Sequence, residues 1–381
     1  MNTVKYFRIP ISNAIRMSRA ISTTARAVTF PKYGEPDEIA NVISYNIGDK
    51  IGPNEVLVKT LAATINPSDI NQIQGVYPSR PVWTKEINGE ELTIGGNEGV
   101  FEVVEVGSDV KDYKKGDWTL PGVLAFGTWR SHALVDASKL SPPLGLNGVV
   151  SPLQIVTSNI NPVSAYQMLK EYVELKPGDW VIQNGGNSAV GRAVIQLAKL
   201  WGYKTISVVR SRPDIDELIA ELKGLGADVV LTEEQAASRE YEEEFRKLVG
   251  PDAQIKLALN CVGGKSATSL TNKLSVNGHH VTYGAMSKQP VTIGAGPFIF
   301  KNITFHGYWL SARAQADPVG RNKALKEILG LVAQGKLQAA PALEHKISAD
   351  KTDAENTEIA RKVFKDYSKG FSNKKHVFQF Q

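Results

Sequence analysis

The stretch Trp180-Val181-Ile182-Gln183-Asn184-Gly185-Gly186-Asn187-Ser188-Ala189-Val190-Gly191 decides the fold of this chain. Its first five residues form a short run rich in apolar side chains, which predicts a strand, and an amphipathic helical pattern starts where it ends. Small residues between a strand and a helix let a pyrophosphate approach the backbone, and the helix N-terminus offers free N–H groups. The stretch therefore predicts a dinucleotide-binding turn; the alternative is a tight strand–helix turn that binds nothing.

The alternation of strand and helix continues along the chain from this turn. Short apolar or β-branched runs bounded by polar residues predict strands at 180–184, 205–209, 228–231, 256–261 and 279–283. Helical patterns lie between them, such as the apolar positions from Ala189 to Ala198, which fall on one face at 3.6 residues per turn. Five such units predict an α/β fold with a doubly wound parallel sheet of the Rossmann type, covered on both sides.

The chain before Pro152 has a different pattern of predicted elements. Alternating runs at 55–61 and 100–107, with frequent turn residues, predict an irregular β-barrel-like domain. After Tyr308 two helical patterns are followed by a strand-like run at 377–380, which has no partner nearby and is expected to return to the first domain. We therefore expect a discontinuous catalytic domain, 27–152 and 306–381, that encloses a nucleotide-binding domain, 153–305.

The end of the second strand indicates which dinucleotide is bound. An NAD site usually places an acidic residue there to hold the ribose 2′-hydroxyl, whereas this strand runs into Arg210-Ser211-Arg212. Guanidinium groups bind phosphate oxygens bidentately, so this segment favours the 2′-phosphate of NADPH. The alternative is that both arginines are solvated surface charges that pair with Asp214 and Asp216.

The charge distribution indicates a targeting segment. Residues 1–26 contain five basic residues and no acid, and these five account for the whole formal charge of +5. Together with several serines and threonines, they are typical of a mitochondrial transit peptide, so we expect a protein of the mitochondrial matrix. The alternative is a basic tail on a cytosolic protein. The neutral remainder argues against a nucleic-acid partner, and no run of about 18 apolar residues predicts a membrane span.

The ligands for a metal site are missing from the sequence. Cys261 is the only cysteine, which excludes an intramolecular disulfide and a thiolate-rich zinc site. Of the six histidines only His279 and His280 are close together, and on a strand their side chains point to opposite faces. We therefore predict no metal site.

A tyrosine between turn-forming residues is the best candidate acid in the absence of a metal. Tyr77 lies in Gly75-Val76-Tyr77-Pro78-Ser79-Arg80-Pro81, where glycine and proline indicate a rigid turn. A phenol is neutral at pH 7 and can donate a proton to a reacting group, although a tyrosine in such a turn is more often only packing. Asn161 is a second candidate, and its alternative is an Asx turn before Pro162.

Several longer strings resemble one family. The run 99–107, the glycine turn and the two-domain rhythm resemble the medium-chain dehydrogenase/reductase superfamily over most of residues 27–381. Within it, INPSDINQIQGVYPSRP, GGNEGVFEV, IQNGGNSAVG, LALNCVGGKS and the segment 282–287 look like the mitochondrial 2-enoyl thioester reductases of fatty-acid synthesis. Zinc-dependent relatives carry Gly-His-Glu where this chain has Gly96-Asn97-Glu98, so the resemblance is to a zinc-free branch.

The resemblance implies a function and a set of site residues. It implies a GroES-like catalytic domain, hydride transfer from NADPH to C3 of a trans-2-enoyl thioester, and a proton from Tyr77 to C2. The thioester would be carried on acyl carrier protein or coenzyme A. Apart from the resemblance, an uncapped edge strand of the nucleotide-binding domain favours a homodimer. The implied NADPH contacts are Asn161, Asn187, Ser188, Ala189, Val190, Arg210, Ser211, Arg212, Tyr283, Gly284, Ala285, Met286, Tyr308, Trp309, Leu310 and a C-terminal lysine, taken as Lys375 although Lys374 adjoins it.

Some alternatives stay open at this point. A quinone or alkenal reductase of the same superfamily would use the same turn on a different acceptor, and a more remote alternative is a non-catalytic NADPH-binding or RNA-binding protein.

An acidic carrier protein would bind a basic patch, for which a set of four residues is the candidate: Arg313, Arg321, Lys323 and Lys326. Its alternative is a solvated helix face.

Overall fold

The computed structural model describes residues 24–48, 50–85, 87–370 and 373–381. The strands and helices in these ranges are, in chain order, β1 (Thr24–Phe30), α1 (Pro36–Ile39), β2 (Asn41–Asn46), β3 (Glu55–Thr64), α2 (Pro67–Ile73), β4 (Trp83–Thr84), β5 (Leu92–Ile94), β6 (Gly99–Val106), β7 (Trp118–Thr119), β8 (His132–Asp136), α3 (Pro152–Ser158), α4 (Asn161–Glu171), β9 (Trp180–Asn184), α5 (Ala189–Leu200), β10 (Lys204–Val209), α6 (Ile215–Leu225), β11 (Val229–Thr232), α7 (Glu233–Ala237), α8 (Glu242–Val249), β12 (Ile255–Asn260), α9 (Gly264–Lys273), β13 (His279–Thr282), α10 (Ala295–Lys301), β14 (Thr304–Gly307), α11 (Leu310–Ala316), α12 (Pro318–Ala333), β15 (Ala342–Ile347), α13 (Asp353–Ser368) and β16 (Lys375–Phe380).

Six of these strands form a parallel sheet in the order β11-β10-β9-β12-β13-β14. The five strands predicted from apolar runs are confirmed to within one or two residues, because a strand buried on both faces is nearly continuous in apolar side chains. The sixth strand, β14, escaped prediction since Thr304-Phe305-His306-Gly307 alternates too briefly to stand out. It carries the sheet past residue 305, so the proposed second domain boundary would fall after Gly307.

Helices cover the parallel sheet through apolar stripes. The side chains of Val194 and Leu197 on α5 are fully buried, and they share one core with Val163 on α4 and Ile328 on α12. The helix predicted around residues 325–332 is α12, and it packs in the same core as α5, the helix that follows the nucleotide-binding turn. Among the helices that the structure describes, none is long and apolar enough to cross a membrane.

The remaining strands build two further sheets. One has the order β2-β1-β5-β4, and the other has the order β15-β16-β3-β6-β7 with β8 paired to β3. The C-terminal strand β16 lies antiparallel to β3, with Val377 opposite Thr64, so the return of the chain to its first part is confirmed. The division into 27–152 with 306–381 and 153–305 stays a proposal.

The start of β1 changes one expectation at the N-terminus. Thr24 to Arg26 belong to this strand, and the Arg26 guanidinium donates to Ser348 O at 2.9 Å and pairs with Asp353 at 3.3 Å. Hydrogen bonding in β1 therefore draws the last three residues of the expected segment 1–26 into the fold. Residues 1–23 of the predicted transit peptide lie outside the described residues.

Trp129 holds the N-terminal and C-terminal segments of the chain together. Its ring is fully buried between Phe30 of β1, Phe364 of α13 and Phe378 of β16, with ring centroids 5.3 to 6.2 Å apart. Its indole N–H donates to Thr64 O at 2.9 Å. One side chain thus connects segments that lie more than 300 positions apart in the sequence.

We expect Trp129→Ala to lower the free energy of unfolding by about 3–5 kcal/mol, because the cavity removes these ring contacts and leaves a buried carbonyl without its donor. Urea unfolding followed by circular dichroism measures this change. Val319→Ala, at a position that is 78% exposed, is the matched control and should change the value by less than about 0.5 kcal/mol. A loss for Trp129→Ala no larger than that of the control would contradict the expectation.

Candidate active site

The glycine-rich turn leads from β9 into the N-terminus of α5. Gly185 has a φ of +59°, and Ser188 caps α5 by accepting a hydrogen bond from Gly191 N at 3.1 Å. A Cβ atom on Gly191 would lie 2.5 Å from Gly186 O, so only glycine lets the helix approach the turn this closely. Ala189 and Val190 begin α5, and the N-terminus of this helix is arranged to bind an anion.

The arginine segment after β10 is held by neighbouring side chains. Arg212 Nε donates to Asp214 Oδ1 at 2.6 Å, as the solvated-charge alternative expects, while its Nη1 donates to Asn373 Oδ1 at 3.0 Å. Asn373 Oδ1 also accepts from Asn187 Nδ2 at 3.0 Å. Ser211 Oγ donates to Glu234 Oε2 at 2.6 Å, and Arg210 is exposed. Asn373, which the sequence did not mark, thus links the glycine turn to the arginine segment.

The segment after β13 lies against the glycine turn. A Cβ atom on Gly185 would lie 2.6 Å from Cys261 Sγ, and one on Gly284 would lie 3.0 Å from Cys261 O. Burial raises the pKa of the Cys261 thiol to about 11, which keeps it protonated and inert. Tyr283 has a buried hydroxyl whose pKa burial raises well above its usual range, whereas Ala285 and Met286 are exposed.

Asn161 is the first residue of α4, followed directly by Pro162. Its Nδ2 is buried and has no hydrogen-bond partner among the described residues. A buried amide without a partner is costly, so this atom fits a ligand that would accept its hydrogen bond.

The side chains of Tyr77 and Trp309 come from different parts of the fold and are in contact. Tyr77 follows α2 in the β-rich part, and Trp309 follows β14 of the parallel sheet. Trp309 Nε1 donates to Tyr77 Oη at 2.7 Å, and the rings meet edge to face at 6.0 Å. Because an indole is only a donor, the phenol accepts this bond and keeps its own proton for another partner.

The phenol is protonated at neutral pH. Burial raises the pKa of Tyr77 above its usual value near 10, and the hydrogen bonds from Trp309 and Ser311 lower it by less. Ser311 did not stand out in the sequence, since one serine at the start of a helix carries no signal. A half-buried, neutral phenol can donate a proton but does not act as a base.

A buried polar network lies behind Tyr77. Glu98 is fully buried, and its carboxylate accepts from Thr64 Oγ1, from Asn66 Nδ2 at 2.9 Å and from Ile160 N at 2.9 Å. Asp69 accepts from Asn97 N at 3.0 Å, and burial raises the pKa of this carboxyl to about 6. The network joins the end of β3 and the start of α2 to the start of α4.

Lys375 belongs to the same network. Its ammonium donates to Asn66 Oδ1 and lies 3.9 Å from a Glu98 oxygen, and burial lowers its pKa while the charges of Glu98 and Asp69 raise it. The structure therefore gives this lysine two protein partners, and its contact with NADPH stays a prediction.

The other expected contacts after β14 differ in what they present. Tyr308 is buried and donates its hydroxyl hydrogen to Gln167 Oε1 at 2.7 Å, so it faces α4, and Leu310 begins α11.

Within the described ranges, no group of three His, Cys, Asp or Glu side chains could hold a metal ion. His280 is buried against Thr271 while His279 stacks on His306, as the opposite-face prediction requires.

These residues fit a dinucleotide with a 2′-phosphate. The N-terminus of α5, the buried Nδ2 of Asn161 and the arginine segment carry hydrogen-bond donors of the kind that such a molecule requires, and the close approach at Gly191 leaves room beside the turn.

Two family models match the chain. One is described as a zinc-binding dehydrogenase and matches residues 189–335; the other is described as an alcohol dehydrogenase GroES-like domain and matches residues 52–143. The expected combination of a Rossmann-like sheet and a GroES-like domain is thereby confirmed.

Proteins of named function are similar to most of the chain. The mitochondrial enoyl-[acyl-carrier-protein] reductase of Yarrowia lipolytica is 48% identical over 320 residues, which cover 84% of this chain and 83% of the relative. A protein of Kluyveromyces marxianus named NADPH quinone oxidoreductase is 42% identical over 333 residues, which cover 84% of this chain and 87% of the relative.

Solved structures match as well. The mitochondrial 2-enoyl thioester reductase Etr1p/Etr2p heterodimer from Candida tropicalis has a TM-score of 0.85 at 42% identity, covering 94% of this chain and 100% of that chain. The complex of Etr1p with NADP and crotonyl-CoA has a TM-score of 0.86 at the same identity and coverage. The chain therefore belongs to the mitochondrial enoyl-[acyl-carrier-protein] reductases, NADP-dependent oxidoreductases of the medium-chain dehydrogenase/reductase superfamily.

Proposed function

We propose that this chain reduces trans-2-enoyl thioesters with NADPH in mitochondrial fatty-acid synthesis and that Tyr77 supplies the proton. The observation that carries the proposal is the 2.7 Å hydrogen bond from Trp309 to Tyr77. It places the phenol of the β-rich part beside the segment 308–310, which follows the parallel sheet. A proton donor and a cofactor-binding surface therefore meet at one place.

The chemistry of the substrate sets the two tasks of the site. C3 of a 2-enoyl thioester is electron-poor, and NADPH supplies the hydride that adds there. The electron pair of the double bond then moves toward the thioester oxygen, and a proton at C2 completes the saturated product. Tyr77 is neutral before the reaction because burial raises the pKa of its phenol, and it donates this proton to C2. The phenolate that results takes a proton back from water.

The residues around the glycine turn would hold NADPH. Asn187, Ser188, Ala189 and Val190 lie at the N-terminus of α5, where backbone N–H groups would face the pyrophosphate. Arg210, Ser211 and Arg212 would bind the 2′-phosphate, and Ser211 would exchange its bond with Glu234 for one with the phosphate. Asn161, the segment 283–286 and the segment 308–310 would contact the rest of the molecule.

The carrier of the acyl chain is acyl carrier protein or coenzyme A. The relatives' names and the crotonyl-CoA complex support a thioester substrate. The four-residue basic patch is not intact as a docking surface: Arg313 pairs with Glu171, and Arg321 donates to Asn159 Oδ1 at 2.5 Å. Only Lys323 and Lys326 of this set are exposed. The names of the relatives also support a mitochondrial location, and we place the protein in the matrix.

A homodimer is part of the proposal. Within the described strands, β14 ends the parallel sheet and pairs only with β13. Beside it, three consecutive apolar residues of α10 are exposed: Phe298 by 52%, Ile299 by 70% and Phe300 by 79%. An open sheet edge next to an apolar patch favours pairing with a second copy, and the solved heterodimer of the Candida tropicalis relatives supports it.

A quinone reductase is the second candidate, because the Kluyveromyces marxianus relative is named NADPH quinone oxidoreductase. Initial rates on trans-2-enoyl thioesters and on quinones, at equal NADPH, separate the two functions. We expect the thioester to be reduced with the higher kcat/KM.

We expect Tyr77→Phe to lower kcat for a trans-2-enoyl thioester by more than about tenfold, because phenylalanine keeps the ring and removes the proton. NADPH oxidation followed at 340 nm measures it, and binding of NADPH should be nearly unchanged. Tyr33→Phe is the matched control, since it also removes one phenol hydroxyl and keeps the ring that packs on Trp83. Full activity of Tyr77→Phe would remove Tyr77 from the mechanism.

We expect Arg212→Ala to raise KM for NADPH by about 10- to 100-fold, the loss of one charged hydrogen-bond donor to phosphate, and to leave KM for NADH within about twofold. Steady-state rates with both cofactors measure the difference. Arg246→Ala, at a highly exposed position on α8, serves as the control. Equal changes with NADPH and NADH would show that Arg212 does not bind the 2′-phosphate.

We expect Phe300→Glu to convert a dimer into a monomer, since a charge in the apolar patch would be desolvated at the interface. Light scattering after size-exclusion chromatography measures the mass of the purified protein. Val319→Glu adds the same charge at another exposed apolar position and should leave the mass unchanged. A dimer that persists in Phe300→Glu would place the interface elsewhere.

A further inference from the structure

The turn that carries Tyr77, residues 75–80, is exposed over much of its surface. Gly75 lies against the Tyr33 ring, and Arg80 lies over that ring and donates to Gly75 O. Val76 is 72% exposed, and Pro78 and Arg80 are exposed as well. The backbone N–H groups of Val76 and Tyr77 both donate to Asn71 O, at 3.0 and 3.2 Å, which fixes the first half of the turn to α2. The second half depends on other contacts.

Gln72 supplies such a contact from the last turn of α2. Its side chain is 5% exposed, and its Nε2 donates to Ser79 O at 3.1 Å, two residues after Tyr77. Its Oε1 accepts a hydrogen bond from Asn97 Nδ2 at 2.9 Å. One buried amide therefore connects the second half of the turn to the polar network.

Asn97 fixes the direction of this amide. Its Nδ2 donates one hydrogen to Asp69 Oδ1 at 2.7 Å and the other to Gln72, while its Oδ1 accepts from Ala125 N at 2.8 Å. Both N–H hydrogens of the Asn97 amide are thus used, and its oxygen is bonded as well. Gln72 has to present its oxygen to Asn97, which leaves its nitrogen for the Ser79 carbonyl.

We propose that Gln72 is a positioning residue for the reduction: its amide ties the Ser79 carbonyl to the Asn97–Asp69 pair and thereby holds the Tyr77 phenol in place for protonation at C2. The inference rests on the proposed role of Tyr77. Gln72 acts through Tyr77 and touches neither substrate nor cofactor. Because proton transfer depends steeply on distance, a turn displaced by about 1 Å would slow the chemical step far more than it would weaken binding.

Two variants of Gln72 test this role on the full-length protein. Gln72→Met keeps the length of the side chain and removes both hydrogen bonds. Gln72→Glu keeps an acceptor for Asn97 and presents an oxygen to the Ser79 carbonyl, so it should release the turn as well. We expect each variant to lower kcat for a trans-2-enoyl thioester by about tenfold and to leave KM for NADPH within about twofold. Gln74→Met is the matched control on the same segment, because Gln74 bonds to Glu35 and should leave kcat unchanged.

The decisive measurement combines Gln72→Met with Tyr77→Phe. If Gln72 acts only through the phenol, the double variant has the kcat of Tyr77→Phe alone. Losses that multiply, or folded Gln72 variants that retain full kcat, would overturn the inference while leaving the role of Tyr77 intact. A Tyr77→Phe variant with full activity would instead overturn the proposed function. Thermal unfolding of every variant establishes that the proteins compared are folded.

Discussion

The burial of the Glu98 carboxylate constrains the rest of the structure. An ionised carboxylate is expensive to remove from water unless charges and donors compensate it. Here Thr64 at the end of β3, Asn66 at the start of α2, the backbone of Ile160 before α4 and Lys375 at the start of β16 all supply that compensation. These four elements must therefore converge on one point, and their convergence sets the β-rich part against the helix that carries Asn161.

The same network includes Asn97, whose side-chain hydrogen bonds are made within the protein. The resemblance to zinc-dependent dehydrogenases places a ligand histidine where this chain has Asn97. An asparagine amide in that position donates to Asp69 and Gln72 and accepts from Ala125, so the surrounding polar groups are satisfied by one another. In the proposed function a proton donor, Tyr77, acts on the substrate, and these polar residues would support it.

The sequence predicted the elements and missed the contacts between distant segments. Apolar runs and helical periodicity located β9 to β13 and α5, because both patterns are local. The glycine turn and the arginine segment also stood out in the sequence, because small residues before a helix and adjacent guanidinium groups are typical of phosphate sites. Their contacts with NADPH stay a prediction. Glu98 and Ile160 are 62 positions apart, and Lys375 and Asn66 are 309 apart, so no local pattern indicates their bonds. Asn373 and Gln72 were missed for the same reason, because the role of a single side-chain amide depends on partners that only the tertiary structure brings together.

The pairing of β16 with β3 also determines when the sheet around β3 can be completed during synthesis of the chain. The register of Val377 opposite Thr64 means that the end of β3 gains this neighbour only when the segment around residue 377 has been synthesised. Until then β8 covers that edge of β3 only from Glu55 to Lys59, and the unpaired backbone at Ala63 and Thr64 is prone to pairing with other chains. The same segment brings Asn373 to the glycine turn and Lys375 to Asn66, so a variant without residues 373–381 would lose the pairing of β16 with β3 and both of these side chains.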